Sequence, residues 1–265
     1  MEARGLSAAP PKRRLRVPGT AVLLYHAVGA SADRYTVSRA ELRRHLERIA
    51  SAEARVVSLA ELRAGAQEWP FPVVITFDDG RASDYTEAYP LLARHGLRAE
   101  FFVNPAFVGT PGFVTWDQAR EMARAGMSIQ SHAYDHVYLT RESEAGLVHQ
   151  VAGAKKRIED EIGAPVSYLA APYGDLNARV VEEAIAAGYD AVCTSWPWPA
   201  RAHARTVSRV SVYGGTDADA FDRILAGDPR PYVAQAARAA LAYPAKQALL
   251  RLHPGWRRAQ REGRA

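Results

Sequence analysis

Two groups of side chains in this sequence could do chemistry together. Asp78 and Asp79 stand side by side in Thr76-Phe77-Asp78-Asp79-Gly80, where the apolar run Val73 to Phe77 ends. Adjacent carboxylates at the end of a buried strand lose hydration and repel one another unless a cation or a proton is shared between them. Side chains of neighbouring strand residues point in different directions, so one can hold a metal while the other handles protons. His132 and His136 are four apart, which on a helical turn sets both imidazoles on one face at chelating distance. With Asp79 they make two histidines and one carboxylate, a set that leaves positions open for water and substrate, as a catalytic metal requires. Zinc is the default ion. Asp-Asp-Gly alone is a common turn and a lone histidine pair is commonly incidental, so the weight rests on the combination.

Strand-like runs alternate with helix-like ones around these groups. Strands are expected at Val22 to Tyr25, Arg55 to Val57, Val73 to Phe77, Ala99 to Val103, Ser128 to Ser131, Ser167 to Ala170, Ala191 to Thr194 and Ser208 to Val212. Helices are expected near 39–53, 59–65, 84–95, 116–125, 143–162, 177–187 and 217–226, with Ala236 to Leu252 as a further candidate. Ser38 with Glu41 and Ser58 with Glu61 match the capping box, Thr115 precedes Trp116-Asp117, and Gly96, Gly126, Gly163 and Gly188 stand at helix stops. Strands apolar throughout, alternating with helices, imply parallel pairing under a helical cover. A (β/α) barrel is the leading architecture, and a doubly wound open sheet satisfies the same alternation. Barrel enzymes carry reactive groups at the carboxyl ends of strands. Here His26 follows the first strand, Asp78 and Asp79 the third, His132 and His136 the fifth, and Pro172-Tyr173-Gly174 the sixth. The remaining histidines, His45, His95, His149 and His203, are explained by surface or capping roles.

A composition of 48% hydrophobic and 24% charged residues supports a large core and excludes disorder. Cys193 is the only cysteine, which excludes an internal disulfide and a cysteine-rich zinc site. The formal charge of +5 is carried by the ends: Met1 to Pro18 holds +4 and Pro244 to Ala265 holds +5, leaving −4 between them. The body therefore shows no phosphate-binding stripe, and nucleic acid is not an expected partner. One barrel over 19–243 is expected, with a basic flexible tail at 1–18 and a basic tail at 244–265. No apolar run approaches the roughly 20 residues that cross a bilayer, and Met1 to Pro18 lacks the apolar stretch of a secretory signal. A cytoplasmic location follows as the expectation, with the basic ends free for peripheral membrane contact.

The segments Thr76-Phe77-Asp78-Asp79-Gly80, Ser131-His132-Ala133-Tyr134-Asp135-His136 and Ala171-Pro172-Tyr173-Gly174 resemble the first three motifs of polysaccharide deacetylases, carbohydrate esterases of the NodB-homology type. The similarity extends through Ala99-Glu100-Phe101-Phe102-Val103 and Gly112 to Gln118, spanning roughly residues 20–226. The resemblance implies an α/β fold, a distorted (β/α) barrel with seven or eight parallel strands, and metal-dependent removal of acetyl from N-acetylhexosamine units of a polysaccharide or a lipid-linked sugar precursor. It also implies Asp78 as general base, Asp79, His132 and His136 as metal ligands, and the backbone N–H of Tyr173, between Pro172 and Gly174, as oxyanion support. Trp116, Trp196, Trp198 and Tyr173 could offer flat faces to a sugar ring.

A separate acid must protonate the departing amine. The usual Leu-x-His motif near the carboxyl end is approximated by Leu252-His253 in a charged context, whereas Leu24-Tyr25-His26 ends a clean strand, as in permuted members acting on exopolysaccharides. His26 is the preferred acid. The usual Arg two residues before the third-motif Pro is Ala170, and the usual Asp before Trp196 is Ser195, so a salt bridge that orients the base is expected to be missing. Ala133 replaces a hydroxyl residue that bonds the histidine loop. The alternatives are an amidase or deformylase on a non-polymeric substrate, and a non-catalytic carbohydrate-binding barrel, which would be expected to have lost Asp78 or a ligand.

Overall fold

The computed structural model describes residues 16–52, 54–65 and 72–252. His253, the alternative acid, and most of both basic ends lie outside the described residues. Strand β1 (Ala21–Tyr25) pairs in parallel with β5 (Pro72–Phe77), and every residue of both is buried. From β5 the parallel sheet continues through β6 (Glu100–Val103), β7 (Ser128–Ser131), β8 (Tyr168–Ala170) and β9 (Ala191–Cys193) to β10 (Thr206–Val207). On its other side β1 pairs with β11 (Val210–Ser211). The two ends of this eight-strand path are therefore separated only by Ser208 and Arg209, so one extended segment serves both edges of a curled sheet. The expected strand Ser208 to Val212 is in fact two short strands around this seam. β4 (Arg55–Val56) pairs only with the start of β5 and lies off the path.

Strand alternation divides the interior into two clusters. Leu23, Tyr25, Ile75, Phe77 and Phe101 face the helices, with the Phe77 ring stacked between Tyr25 and Phe101 at 5.2 and 5.0 Å. Val22, Val74, Phe102, Ala170 and Cys193 form a smaller cluster on the opposite, concave face. The parity that places Val74 there carries Thr76 and Asp78 with it.

The helical cover comprises α1 (Arg39–Ser51), α2 (Leu59–Arg63), α3 (Tyr89–Arg94), α4 (Trp116–Arg124), α5 (Glu144–Val148), α6 (Ala154–Ile162), α7 (Ala178–Ala186), α8 (Ala218–Leu225) and α9 (Pro229–Leu252). Full capping boxes close α1, α2 and α4 at Ser38, Ser58 and Thr115. Two expected helices are interrupted by wide π-type turns, at Asp84–Ala88 and His149–Gly153. The second carries the buried residues Gln150 and Val151. α9 starts seven residues earlier than the apolar pattern suggested, because Asp228 accepts from the Arg230 N–H at 3.0 Å and Pro229 occupies the first turn. A two-stranded parallel pair, β2 (Ala27–Val28) with β3 (Thr36–Val37), was not anticipated; it folds residues 29–35 beside the end of β1. Among the described residues no helix is long and apolar enough to cross a membrane.

His45 corrects the expectation of a surface role. It is 3% exposed, stacks on Phe221 at 4.1 Å, and its Nδ1 lies 3.2 Å from the Tyr25 hydroxyl. Burial pushes its pKa from 6.5 down to about 4. The unfolded chain binds this proton more readily, so the stability His45 contributes is complete above pH 6.5 and is lost as pH falls toward 4, by at most about 3 kcal/mol. Thermal unfolding followed between pH 7 and 4 is expected to show this decline, and His45→Phe is expected to flatten it.

Candidate active site

Each reactive side chain stands where a strand ends, and the register of the sheet decides which of them meet. Tyr25 is opposite Phe77 and accepts the Asp78 N–H at 3.0 Å, so His26 follows β1 beside Asp78. Val103 is opposite Ser131, and the His132 N–H bonds Val103 at 2.9 Å, which sets the first histidine at the mouth of the sheet. Pro172–Gly174 follows β8, and Trp196 follows β9, half-exposed.

Asp79, His132 and His136 converge. Oδ1 of Asp79 lies 3.5 Å from Nε2 of His132 and 3.2 Å from Nε2 of His136, and the three prospective ligand atoms fall within 4.8 Å of one another. Ligands of one four-coordinate ion at bond lengths near 2 Å stand about 3–4 Å apart, so the spacing fits a divalent cation. The donor chemistry fits as well. Nδ1 of His132 is 2.9 Å from the carbonyl of Ala170, which can only accept, so Nδ1 carries the proton and Nε2 is left for a metal. Asp78 adjoins this set without belonging to it, its Oδ2 being 3.9 Å from His132 Nε2.

The loop between the histidines is held from outside it. Asn104, at the end of β6, donates to the carbonyls of His132 and Ala133. The side-chain oxygen of Gln150 accepts the Tyr134 and Asp135 N–H groups at 3.1 Å, and its Nε2 donates to Asp135 at 2.6 Å. These two amides supply the support that a hydroxyl at 133 would have given. Asp79, Ala133, His136 and Tyr173 all have positive φ, at 81°, 63°, 56° and 62°, conformations that non-glycine residues adopt only when their surroundings impose them. In the Pro172 turn, Gly174 has φ 66°, and a Cβ there would stand 2.9 Å from the Ser195 side chain, so glycine is required on both counts. The Tyr173 ring packs edge-on against His136 at 4.6 Å and stacks on Tyr138 at 4.0 Å.

Arg209 overturns the expectation that the base lacks a guanidinium partner. Its Nη1 and Nη2 donate to the two oxygens of Asp78 at 2.7 Å each, Nη1 reaches Thr76 Oγ1 at 3.3 Å, and Nε bonds the Thr194 carbonyl at 3.0 Å. The side chain is fully buried, with its guanidinium 5.2 Å from the Phe102 ring centroid. Ala170 and Ser195 have not removed the ion pair; its cation comes from the seam between β10 and β11. The signal was present, since Arg209 is the one charge in Val207 to Val212. No sequence pattern pointed to Asn104 or Gln150.

The charges account for the protonation states. Burial is the largest influence on Asp78 and pushes its pKa up, but Arg209 and His132 outweigh it and hold the carboxyl below its usual range. Burial likewise opposes ionisation of Asp79, and the bonds from His132 and His136 overcome it by a wide margin. His132 is pulled down by burial and, more strongly in sum, up by Asp78 and Asp79. His26 is lowered by burial, against the pull of Asp79 and Asp78. Trp196 is tied to the site by its carbonyl, which accepts the Arg209 N–H at 3.1 Å. Trp116 and Trp198 pack instead against the helix-side core.

The chain is similar to several known proteins. The family model described as polysaccharide deacetylase matches residues 68–192, a span that excludes His26 and Arg209. The chain is 27% identical over 206 residues, 76% of its length and 74% of the relative's, to the putative polysaccharide deacetylase YxkH of Bacillus subtilis. It is 34% identical over 113 residues to the peptidoglycan-N-acetylglucosamine deacetylase PgdA of Listeria monocytogenes, which covers 42% of this chain and only 23% of that protein. The solved structure of IcaB from Ammonifex degensii matches with a TM-score of 0.72 and 28% identity, covering 81% of this chain and 99% of that one.

Two outcomes test this geometry. Arg209→Met strands a buried carboxylate and is expected to cost about 3–5 kcal/mol in denaturant unfolding, most of it recovered when Asp78→Asn is added. Gln150→Ala is expected to weaken zinc binding by about 10–100-fold in a competition titration, with the fold retained by circular dichroism.

Proposed function

From the premise that this chain belongs to the polysaccharide deacetylase family, a family of hydrolases, we propose that residues 19–243 form a unit that removes the N-acetyl group from N-acetylhexosamine units of a glycan or a lipid-linked sugar. The observation that carries the reading is a second carboxylate, Asp78, held ionised by Arg209 beside the Asp79, His132 and His136 cluster. Asp79, His132 and His136 would hold a divalent ion, with zinc the ion that suits two imidazoles and a carboxylate. Such an ion would polarise the acetyl carbonyl and make a water easier to deprotonate.

The chain's own groups supply the rest. Asp78 is acceptor-only, desolvated and clamped at both oxygens by Arg209, and the lone pairs that Arg209 leaves free can take a proton from an attacking water. That water gives its proton to Asp78 as its oxygen bonds to the acetyl carbon. Charge then develops on the former carbonyl oxygen, and the Tyr173 backbone N–H, fixed in its left-handed turn, donates to it. Collapse requires nitrogen to leave as an amine. His26, on the β1 side of Asp78, is the proposed donor of that proton, because without it hydroxide is the better leaving group.

Acetate release from N-acetylglucosamine oligomers is expected to be abolished by a chelator and restored by zinc. Asp78→Asn is expected to lower turnover by at least about a hundredfold with the metal still bound. His26→Ala is expected to be similarly impaired, and full activity in that variant would remove His26 from the acid role. Formate release from N-formyl sugars in preference to acetate would shift the substrate, not the chemistry.

A further inference from the structure

A rigid aromatic and cationic surface lies on the His26 side of the site, and no role described above uses it. The Tyr35 ring is 5.1 Å from the His26 ring and 5.8 Å, edge-on, from Tyr213. The Arg34 guanidinium carbon is 4.1 Å from the Tyr213 ring centroid and 5.4 Å from that of Tyr35. Arg34 is exposed and Tyr35 is 45% exposed, so neither ring nor cation is spent on the core.

The surface is preorganised. Asp33, the carboxylate next to Arg34, is engaged by its own loop: it accepts from Ser31 at 2.8 Å, from the Thr36 hydroxyl at 2.6 Å and from the Tyr35 N–H at 2.8 Å. The Val28 N–H donates to Ser83 at 3.1 Å, and the Gly214 N–H donates to the Arg34 carbonyl at 3.0 Å. A Cβ at Gly214 would stand 2.4 Å from the Thr36 carbonyl oxygen, so the two loops close on one another only at a glycine. Stacking occupies the faces of a guanidinium and leaves its in-plane N–H donors for an anion. Exposed aromatic rings present an apolar face of the kind a sugar ring covers.

Location adds direction. This argument rests on the deacetylase reading above. In that reaction the departing nitrogen stays on the sugar, so the acid that protonates it must face the sugar, and the glycan lies on the His26 side while the acetyl group points toward Tyr173. The glycan then continues over Tyr35 and Tyr213. We propose that Arg34, Tyr35 and Tyr213 form a subsite for the glycan unit adjoining the one that loses its acetyl group, with the rings against a sugar face and Arg34 on an anionic substituent of that unit, a carboxylate or a phosphate.

The test compares acetate release from three tetrasaccharides that contain N-acetylglucosamine: a neutral homopolymer, one alternating with a carboxylate-bearing sugar, and one phosphorylated on a neighbouring unit. Wild-type protein is expected to favour one charged tetrasaccharide over the neutral one by about tenfold in kcat/KM, chiefly through KM, and the favoured one identifies the anion. Arg34→Gln is expected to bring that ratio close to one, and Arg34→Lys, which keeps the charge without the planar fork, is expected to retain part of it. Equal kcat/KM for all three in the wild type, or a preference that survives Arg34→Gln, overturns the subsite. Failure to release acetate from any tetrasaccharide overturns the deacetylase reading instead; calorimetric binding of the same three to Asp78→Asn protein then tests the subsite separately, a charged ligand binding no more tightly than the neutral one being the refuting result.

Discussion

Two carboxylates, 2% and 7% exposed, sit next to one another at the end of a fully buried strand, and the architecture around the site answers the cost of keeping both ionised there. Asp78 is neutralised by a bidentate guanidinium, and Asp79 faces two imidazoles. The two solutions are chemically different. A carboxylate held at both oxygens by an arginine keeps its charge and its orientation, while one that faces imidazole nitrogens makes a site for a cation. Arg81 also approaches Asp79, its Nη2 lying 3.5 Å from Oδ2, while Oδ1 is the oxygen that faces both imidazoles.

The arginine can reach Asp78 because the sheet curls. β10 and β11 belong to one short segment whose halves pair with opposite edges, β9 and β1. Arg209 stands between those halves, and its side chain crosses the concave face over Phe102 to the end of β5. Curvature, the seam and the ion pair are thus one feature. In a flat sheet of the same strands the two edges would lie far apart, and no single segment could join them.

Strain is concentrated where function needs unusual directions. Of the five non-glycine residues with positive φ among the described residues, four are in the loops after β5, β7 and β8 that build the site. Rigid neighbours hold these conformations: Asn104 and Gln150 clamp the histidine loop, and the Ser195 side chain closes on Gly174. Gln150 does so from a wide helical turn that points two consecutive residues inward.

The apolar runs and their spacing determined the alternation of parallel strands and helices, because a strand buried on both faces must be apolar throughout and a helix against it must carry a stripe. The same local logic marked Asp78, Asp79, His132, His136, Tyr173 and His26, since each follows a legible strand, and it located the capping boxes at Ser38 and Ser58. Tertiary structure alone decided what neutralises Asp78 and what braces the histidine loop. Arg209 is 131 residues from Asp78 and Gln150 lies in a turn that breaks helical periodicity, whereas the burial of His45 follows from its place on the same helical face as Leu42 and Leu46. Patterns of two or 3.6 residues report which face of an element is buried. They carry no information about which distant element supplies the partner, because that depends on how far the sheet curls and where its edges meet.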